Sequence, residues 1–490
     1  MTTWRVLWPI PKLTAEISQY PGVMSMATLL AVNGFEQEVV PAEYTAIAKR
    51  LRDGRSTVLA YSLLTCFVES SLAVNRRVKA EFPCTVSVFG GPHPTFFPEM
   101  IEEDGVDAVC IGEGEYPLLE FTRHLAAGMP VTGIANWWVK QGGGIHRNPV
   151  RPLLENLDEL PVPDHGAFRR AMSQVVNQAV VITGRGCPYH CTYCYNHAYR
   201  KLYAGKGRAL RRRSVRHVME ELRQVKDAGY KYIRFMDDLF ILSPEWVADF
   251  AAQYKEQIRL PFTCLARANH VTPEIMRTLK DAGCYRVLVG VEAGNDHVRN
   301  DILKRNMSKE QIVAAARHVR QAGLRLTTAN IVGIPGGSFN ADWETLELNL
   351  QCRPHYASVA LLHAYPRTEM YDIAVQEGML DEEHVNRTLR SGGFGLESPL
   401  KFKDARERRL IENLHKFFPL AVAMPWLMPL IRLLIRLPSN RLYDRVYLIS
   451  ANIGMSLQEV PPRVGLPILW RKTPLYRAFD RLRRRHSASA

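Results

Sequence analysis

The chain has 490 residues, 47 % of them hydrophobic and 23 % charged, as in ordinary globular proteins of two or three domains. Six of its nine cysteines (Cys66, Cys84, Cys110, Cys264, Cys284 and Cys352) are scattered singly, mostly in apolar runs, which suits buried thiols in a reducing compartment and excludes a disulfide framework. The net charge is +14, much of it in the C-terminal stretch WRKTPLYRAFDRLRRRH, read as a solvated basic tail or as a patch for anionic lipid or nucleic acid.

The N-terminal MTTWRVLWPIPK has no basic stretch followed by an apolar one, so no signal peptide is expected and the protein is expected in the cytoplasm. The first ~125 residues alternate short apolar strands with helical patterns. Strands are predicted at Arg5–Trp8, Glu38–Val40, Val58–Ser62, Thr85–Phe89 and Ala108–Ile111, with helices such as Val23–Val32 and Ser70–Glu81 between them. Five such units predict an α/β, doubly wound, Rossmann-like parallel sheet over residues 1–135. Ligands of such sheets bind beyond the carboxyl ends of the strands. Those ends read AYSLLT (60–65), GGPHPT (90–95) and GEGE (112–115), rich in glycine and small hydroxyl residues that let a ligand approach the backbone.

Residues 136–175, with NWWVK, GGG and PVPD, are predicted as a linker containing a small hairpin. A second series spans 176–380, with strands at Val180–Thr183, Tyr232–Met236, Phe262–Ala266, Val287–Val291, Thr327–Val332 and Ser358–Leu362. The clearest helix is Val215–Lys226, whose Val215, Val218, Met219, Leu222 and Val225 share a face. Six βα units in ~200 residues predict a partial (β/α)6 barrel with its chemistry at the C-terminal strand ends. Residues 381–490 are predicted as a helical C-terminal region. Its stretch FFPLAVAMPWLMPLI (417–431) is apolar, but 15 residues and three prolines are too few and too broken for a span of about 20. It is read as helical core or as an interfacial segment helped by Arg432 and Arg436.

After the first barrel strand comes TGRGCPYHCTYCYN (183–196), which spaces Cys187, Cys191 and Cys194 as C-x3-C-x2-C. Three such thiolates can hold zinc, completed by His190 or His197, or an iron–sulfur cluster; inert buried thiols are a further reading. With Tyr193 just before the third cysteine, the motif resembles the radical S-adenosylmethionine (SAM) superfamily. The resemblance implies a [4Fe–4S] cluster on the three cysteines, with one open iron that chelates SAM for reductive cleavage to a 5′-deoxyadenosyl radical. It extends along the barrel. FMDDLF ends strand two, so Asp237 or Asp238 would touch the SAM amino group. LARAN ends strand three and offers Arg267 to the SAM carboxylate; VGVEAG ends strand four and offers Glu292 to the ribose or amino group. NIVGIPGG, with Gly333 and Pro335, would lie beside adenine, and YPRTEMYDIA resembles the family's sixth strand end. Gly337 and Arg367 depart from the pattern, where this branch often has Glu and Gly.

The N-terminal segments PGVMSMATLLAVNGFE, AYSLLT, GGPHPTFFPEM and CIGEGEYPLLEF resemble the cobalamin-binding domain of B12-dependent radical SAM enzymes. That resemblance covers residues 1 to ~380 and implies cobalamin as a further cofactor. The chain lacks D-x-H-x-x-G, so no lower histidine ligand to cobalt is expected. Ser62, Thr65, Gly90, Gly91, His93, Gly112 and Glu113 are then candidates for contacts with the corrin and its tail, and residues near Leu63–Leu64 would face cobalt.

The resemblance implies a methyltransferase acting on an unactivated carbon by way of methylcobalamin. A cyclase or ring-rearranging enzyme with the same cofactors stays open, as do a tRNA methylthiotransferase and a non-catalytic B12 or zinc sensor. Residues 1–65 hold none of the N-terminal cysteines of the methylthiotransferases. The expected partners are a small-molecule, lipid-like substrate and an electron donor such as flavodoxin or ferredoxin. Nucleic acid is not expected. The C-terminal region is a candidate for peripheral contact with the inner face of the membrane.

Overall fold

The computed structural model describes residues 4–11, 20–171, 177–390, 396–459 and 461; the basic stretch at 470–486 lies outside them. The chain divides into two compact units. Unit 1 comprises Met1–Gly186, Tyr199–Tyr230 and Glu383–Phe394; unit 2 comprises Cys187–Ala198, Lys231–Glu382 and Gly395–Ala490.

Unit 1 is built on strands β1 (Arg5–Ile10), β2 (Glu36–Pro41), β3 (Thr57–Ser62), β4 (Val86–Gly90), β5 (Ala108–Cys110), β6 (Trp137–Gln141) and β7 (Gly144–Arg147). The sheet order is β2-β1-β3-β4-β5-β6-β7. Pairing is parallel from β2 to β5 and antiparallel beyond. The hairpin expected in the linker is therefore the edge of this sheet. Its Trp137 pairs with Cys110 and donates its indole N–H to the Pro117 carbonyl at 2.9 Å, which ties it to the core.

Alternation along the strands supplies both faces of the sheet. Val58 and Ala60 enter one apolar cluster with Val6, Trp8 and Leu30, whereas Leu59 and Tyr61 enter another with Leu7, Leu72 and Phe89. A parallel sheet needs this double cover. The helix Pro21–Val32 supplies Leu29 and Leu30 to one side, and Val68–Glu81 supplies Leu72 and Val78 to the other. Strand order reverses between β1 and β3, and such a switch point opens a crevice beyond the strands' carboxyl ends. AYSLLT leaves β3 at that point.

Strand β8 (Gln178–Val181) leads into the pair β9 (Gly184–Arg185) and β10 (Arg211–Arg212). The helix Val215–Asp227 has the predicted apolar face buried and is capped by Ser214, whose hydroxyl accepts from the His217 amide. At its back Glu221 lies between His165 (2.6 Å) and Arg213, all three buried.

Unit 2 contains β11 (Tyr232–Phe235), β12 (Phe262–Arg267), β13 (Cys284–Glu292), β14 (Arg325–Val332) and β15 (Tyr356–Leu361), each parallel to the next in chain order. Each predicted strand is present, and β13 is longer at both ends than Val287–Val291. The α/β class, the doubly wound domain, the partial parallel barrel and the helical C-terminal region are as expected. The helix Ala405–Ala423 covers β15 with Ile411, Leu414, Phe417 and Phe418 against Val359 and Leu361. The apolar stretch 417–431 thus splits. Its first half is core. After the helix ends at Ala423, Trp426 and Leu430 stand exposed.

Candidate functional site

At the end of β3, the amide of Leu63 donates to the Gly90 carbonyl (2.8 Å), and the amide of His93 donates to the Leu63 carbonyl (3.0 Å). These bonds draw the turns after β3 and β4 together. Gly91 sits at φ +93°, and a Cβ there would meet the Leu63 nitrogen at 2.9 Å and the Ser62 Oγ at 3.0 Å, so the close approach requires glycine. Thr95 fastens the third turn: its hydroxyl donates to the Gly91 carbonyl at 2.8 Å and accepts from the Gly112 amide at 3.0 Å.

The structure separates the two leucines expected near cobalt. Leu63 is fully buried in the core, whereas Leu64 is 40 % exposed at the switch point. His93 faces Thr65 (Nδ1 to Oγ1, 3.3 Å) and stacks on Phe97 at 4.7 Å between ring centroids. Burial, and then the Arg390 guanidinium, lower its pKa to about 4, so the ring is neutral near pH 7. Ser62, Thr65, Gly90, Gly91 and His93 therefore form one group.

Gly112 and Glu113 are placed differently. The Tyr203 hydroxyl occupies the space where a Cβ at 112 would stand, and it accepts from the Glu113 amide at 3.0 Å. The Glu113 carboxylate receives Arg185 and Arg211, each at 2.8 Å, and the pair of guanidiniums holds its pKa low against the cost of burial. Arg185 also bridges to Glu115 at 2.5 Å. Glu113 is thus engaged in an internal ion-pair network, with its amide held by Tyr203.

In unit 2 the cysteine loop is locked from below by Thr192. Its hydroxyl donates to the Ile302 carbonyl at 2.9 Å, and its own carbonyl accepts from the Met370 amide at 2.9 Å. Cys191 is buried; Cys187 and Cys194 are half-buried. Two guanidiniums address the Cys191 sulfur, Arg267 at 3.6 Å and Arg305 at 3.7 Å. Arg305 also reaches the Tyr193 hydroxyl (3.2 Å) and the Gly290 carbonyl (2.6 Å), while Arg267 stacks 3.7 Å over the Tyr189 ring. Asn196 donates to the Cys194 sulfur at 3.7 Å. Burial pushes the Cys194 thiol up to about 11 and raises that of Cys187, so a bound metal would be what holds these two as thiolates.

Glu292 closes this cluster. The β13–β14 register slips between Gly290 and Glu292, and Glu292 adopts φ +66°. A β-bulge with a non-glycine residue in the left-handed region re-aims a side chain at local cost, a pattern found at functional sites. Its carboxyl meets the Tyr193 hydroxyl and lies near Arg305; burial raises its pKa. Asp237, at the end of β11, is buried, and Asp238 is exposed beside the loop. Asp238 bonds to Asn196, yet the protein around its carboxyl raises its pKa. Gly333 and Pro335 form a buried turn after β14, in which the Gly333 amide donates to Asp342 Oδ2 at 2.8 Å.

The structure thus brings Cys187, Cys191, Cys194, Tyr193, Arg267 and Glu292 together and adds Arg305, which the sequence reading missed. The thiol set, with two guanidiniums at Cys191 and an amide at Cys194, fits a group that spreads its thiolates over several irons and carries net negative charge. His190 and His197 face each other, Nδ1 to Nδ1 at 3.3 Å, instead of completing a zinc shell. In unit 1, the glycine-bearing turns and the exposed Leu64 fit a planar, largely apolar group.

Comparison with known proteins agrees with this division. A family model for the B12 binding domain matches residues 17–122, and one for the radical SAM superfamily matches residues 181–348. An uncharacterized methyltransferase of Pyrococcus horikoshii is 27 % identical over 69 % of this chain and 73 % of its own length. The hopanoid C-3 methylase of Methylococcus capsulatus is 25 % identical over 66 % of this chain and 62 % of its own length. The solved structure of the cobalamin-dependent S-adenosylmethionine radical enzyme OxsB superposes with a TM-score of 0.68 over 92 % of this chain and 72 % of that one, at 16 % identity. The expected cofactors, a [4Fe–4S] cluster, SAM and cobalamin, are those of the two matched families.

Proposed function

We propose that this chain, which matches a B12-binding domain and a radical SAM domain, methylates an unactivated carbon of a small, lipid-like molecule. The observation that carries this reading is the apolar end of β3. Leu64 is exposed where the switch point receives a ligand, and the neighbouring histidine, His93, is turned to Thr65 and Phe97. A corrin bound there would meet an alkyl side chain on its lower face. The bound cofactors supply radical generation and a transferable methyl group.

The chain's own residues bind and orient. Ser62, Thr65, Gly90, Gly91 and His93 line the turns that would take the corrin tail. Cys187, Cys191 and Cys194 would hold the cluster. Asp237, Asp238 and Glu292 are carboxyls for the SAM amino and ribose groups, and the Gly333–Pro335 turn is a flat backbone surface for adenine. Arg267 is engaged with Cys191, so its role falls first on the thiolate and only then on the SAM carboxylate. The net charge of +14 suits an acidic electron carrier such as flavodoxin or ferredoxin. The lipid-like substrate is supported by the relative named as a hopanoid methylase.

The test is anaerobic reconstitution with iron, sulfide and cobalamin, followed by a low-potential reductant such as dithionite and SAM labelled in its methyl group. The expected outcome is label on the bound corrin, together with 5′-deoxyadenosine. Production of 5′-deoxyadenosine with no label on the corrin would overturn methyl transfer and favour the cyclase outcome.

A further inference from the structure

Among the described residues, twelve large apolar side chains stand exposed, and seven of them fall between Trp426 and Ile449 in unit 2. A soluble surface scatters such residues singly; clustering marks contact with something apolar. The spacing shows that the cluster is a face. Trp426, Leu430, Leu433 and Leu437 follow one another at four, three and four residues, one stripe of a helical path. The opposite side, with Ile431 and Ile435, is buried against the core of the unit. In the following helix, Arg441–Glu459, Leu442, Leu448 and Ile449 are exposed while Tyr443 is buried.

The charges on this face have one sign. Arg432, Arg436, Arg441 and Arg445 are all exposed, and Arg436, Arg441 and Arg445 form no ion pair among the described residues. The acid of the stretch, Asp444, is neutralised by the buried Lys416 at 2.8 Å. No described helix is long and apolar enough to cross a membrane.

We propose that residues 426–449 dock this protein on an anionic membrane surface, with Trp426 and the leucine stripe in the acyl boundary and the arginines at the phosphates. Tryptophan prefers that interface, and each arginine near an anionic leaflet strengthens the attraction. Charge selects against the other occupants. A second copy would bring the same arginines against themselves. The chain's own residues 462–490 carry eight Lys and Arg against one Asp, so the stripe repels them and both favour the same anionic partner. The inference stands apart from the methyl-transfer reading, because its readout is binding alone.

The experiment is flotation of the full-length holoprotein with phosphatidylcholine vesicles, with and without phosphatidylglycerol. Binding is expected to anionic vesicles and to weaken as salt is raised. Leu433→Asp is expected to lower partitioning at least about tenfold, through loss of one inserted leucine. Arg436→Glu combined with Arg445→Glu is expected to abolish the preference for anionic vesicles. Both variants change exposed side chains, and unchanged iron content and circular dichroism establish that they fold. No binding to anionic vesicles, or binding unaffected by Leu433→Asp, overturns the proposal. A concentration-dependent dimer that Leu433→Asp dissociates also overturns it, in favour of a second copy.

Discussion

Asp342 offers a quantitative test of how the Gly333–Pro335 turn, proposed to take adenine, is held. Its side chain is 4 % exposed and accepts the Gly333 amide at 2.8 Å. Burial raises its pKa to about 8, with Glu407 adding to the shift and the Gly333 amide opposing it. The sign follows. Between the unfolded value near 4 and the folded value near 8, the unfolded chain has lost this proton while the folded chain keeps it. Stability from this group is therefore full below about pH 4 and falls as pH rises to about 8. In Asp342→Asn an amide of nearly the same shape carries no proton to lose. The stability of the native protein minus that of the variant should then fall by about 1.4 kcal/mol per pH unit between about pH 5 and 7 and level off above about pH 9. Asp342→Ala leaves the Gly333 amide buried without an acceptor, at a cost of about 1–3 kcal/mol at any pH, and should weaken SAM binding by loosening the Gly333–Pro335 turn. Urea unfolding at several pH values, with SAM affinity measured alongside, provides the assay. Parallel pH profiles for the native protein and Asp342→Asn would refute the buried neutral acid.

Further outcomes follow from other groups. Alanine at Cys187, Cys191 or Cys194 should each abolish iron retention and 5′-deoxyadenosine formation while leaving cobalamin binding to unit 1 intact, as read by metal analysis and absorbance. Glu221 is held at about 2 by Arg213 and His165 against burial, so its stabilisation is present above about pH 4.5 and lost as pH falls toward 2. Glu221→Gln should cost about 3–5 kcal/mol near pH 7 in urea unfolding, because Arg213 is left buried without its counter-charge. Arg305→Met should lower the cluster's reduction potential by on the order of 50 mV, since a cation that addresses the Cys191 sulfur stabilises the more negative, reduced form. An EPR-monitored redox titration reads this directly, and an unchanged potential would mean that Arg305 only braces Tyr193.

Local patterns carried most of the fold. The βα alternation placed each strand within a few residues, because short apolar runs bounded by glycine and polar turns have little other use. The cysteine spacing and the polar residues at strand ends were legible for the same reason: each sits at a fixed offset from a strand. What stayed hidden depends on segments distant in sequence. Glu113 reads as a ligand contact because it ends a strand; its ion pairs with Arg185 and Arg211, 72 and 98 residues away, leave no local sign. The hairpin β6–β7 looked like linker because glycines and polar residues surround it; the indole bond of Trp137 to Pro117 makes it part of the sheet. Arg305 lies in an irregular loop. Its one local sign is position, two residues from each of the buried Leu303 and Met307, with the intervening Lys304 and Asn306 exposed.

The two candidate sites pose different physical problems. A corrin is large, flat and mostly apolar, and under the proposed reading unit 1 would meet it with backbone: Gly91 lets the β4 turn pack onto Ser62 and Leu63, and the exposed Leu64 would offer it carbon. A cluster bearing thiolates is compact and negative, so unit 2 meets it with buried cations, and Arg267 and Arg305 both converge on Cys191. Those cations cost free energy to bury and are tolerated because carbonyls, Tyr193 and Glu292 share their charge. The strained backbone at Glu292 follows from this balance. The register shift after Gly290 and the left-handed backbone at Glu292 accompany the approach of its carboxyl to Arg305. Glu292 balances the cations, and under the proposed reading it would also offer an acceptor to a bound ligand; the residue is of intermediate exposure beside the buried Arg267 and Arg305.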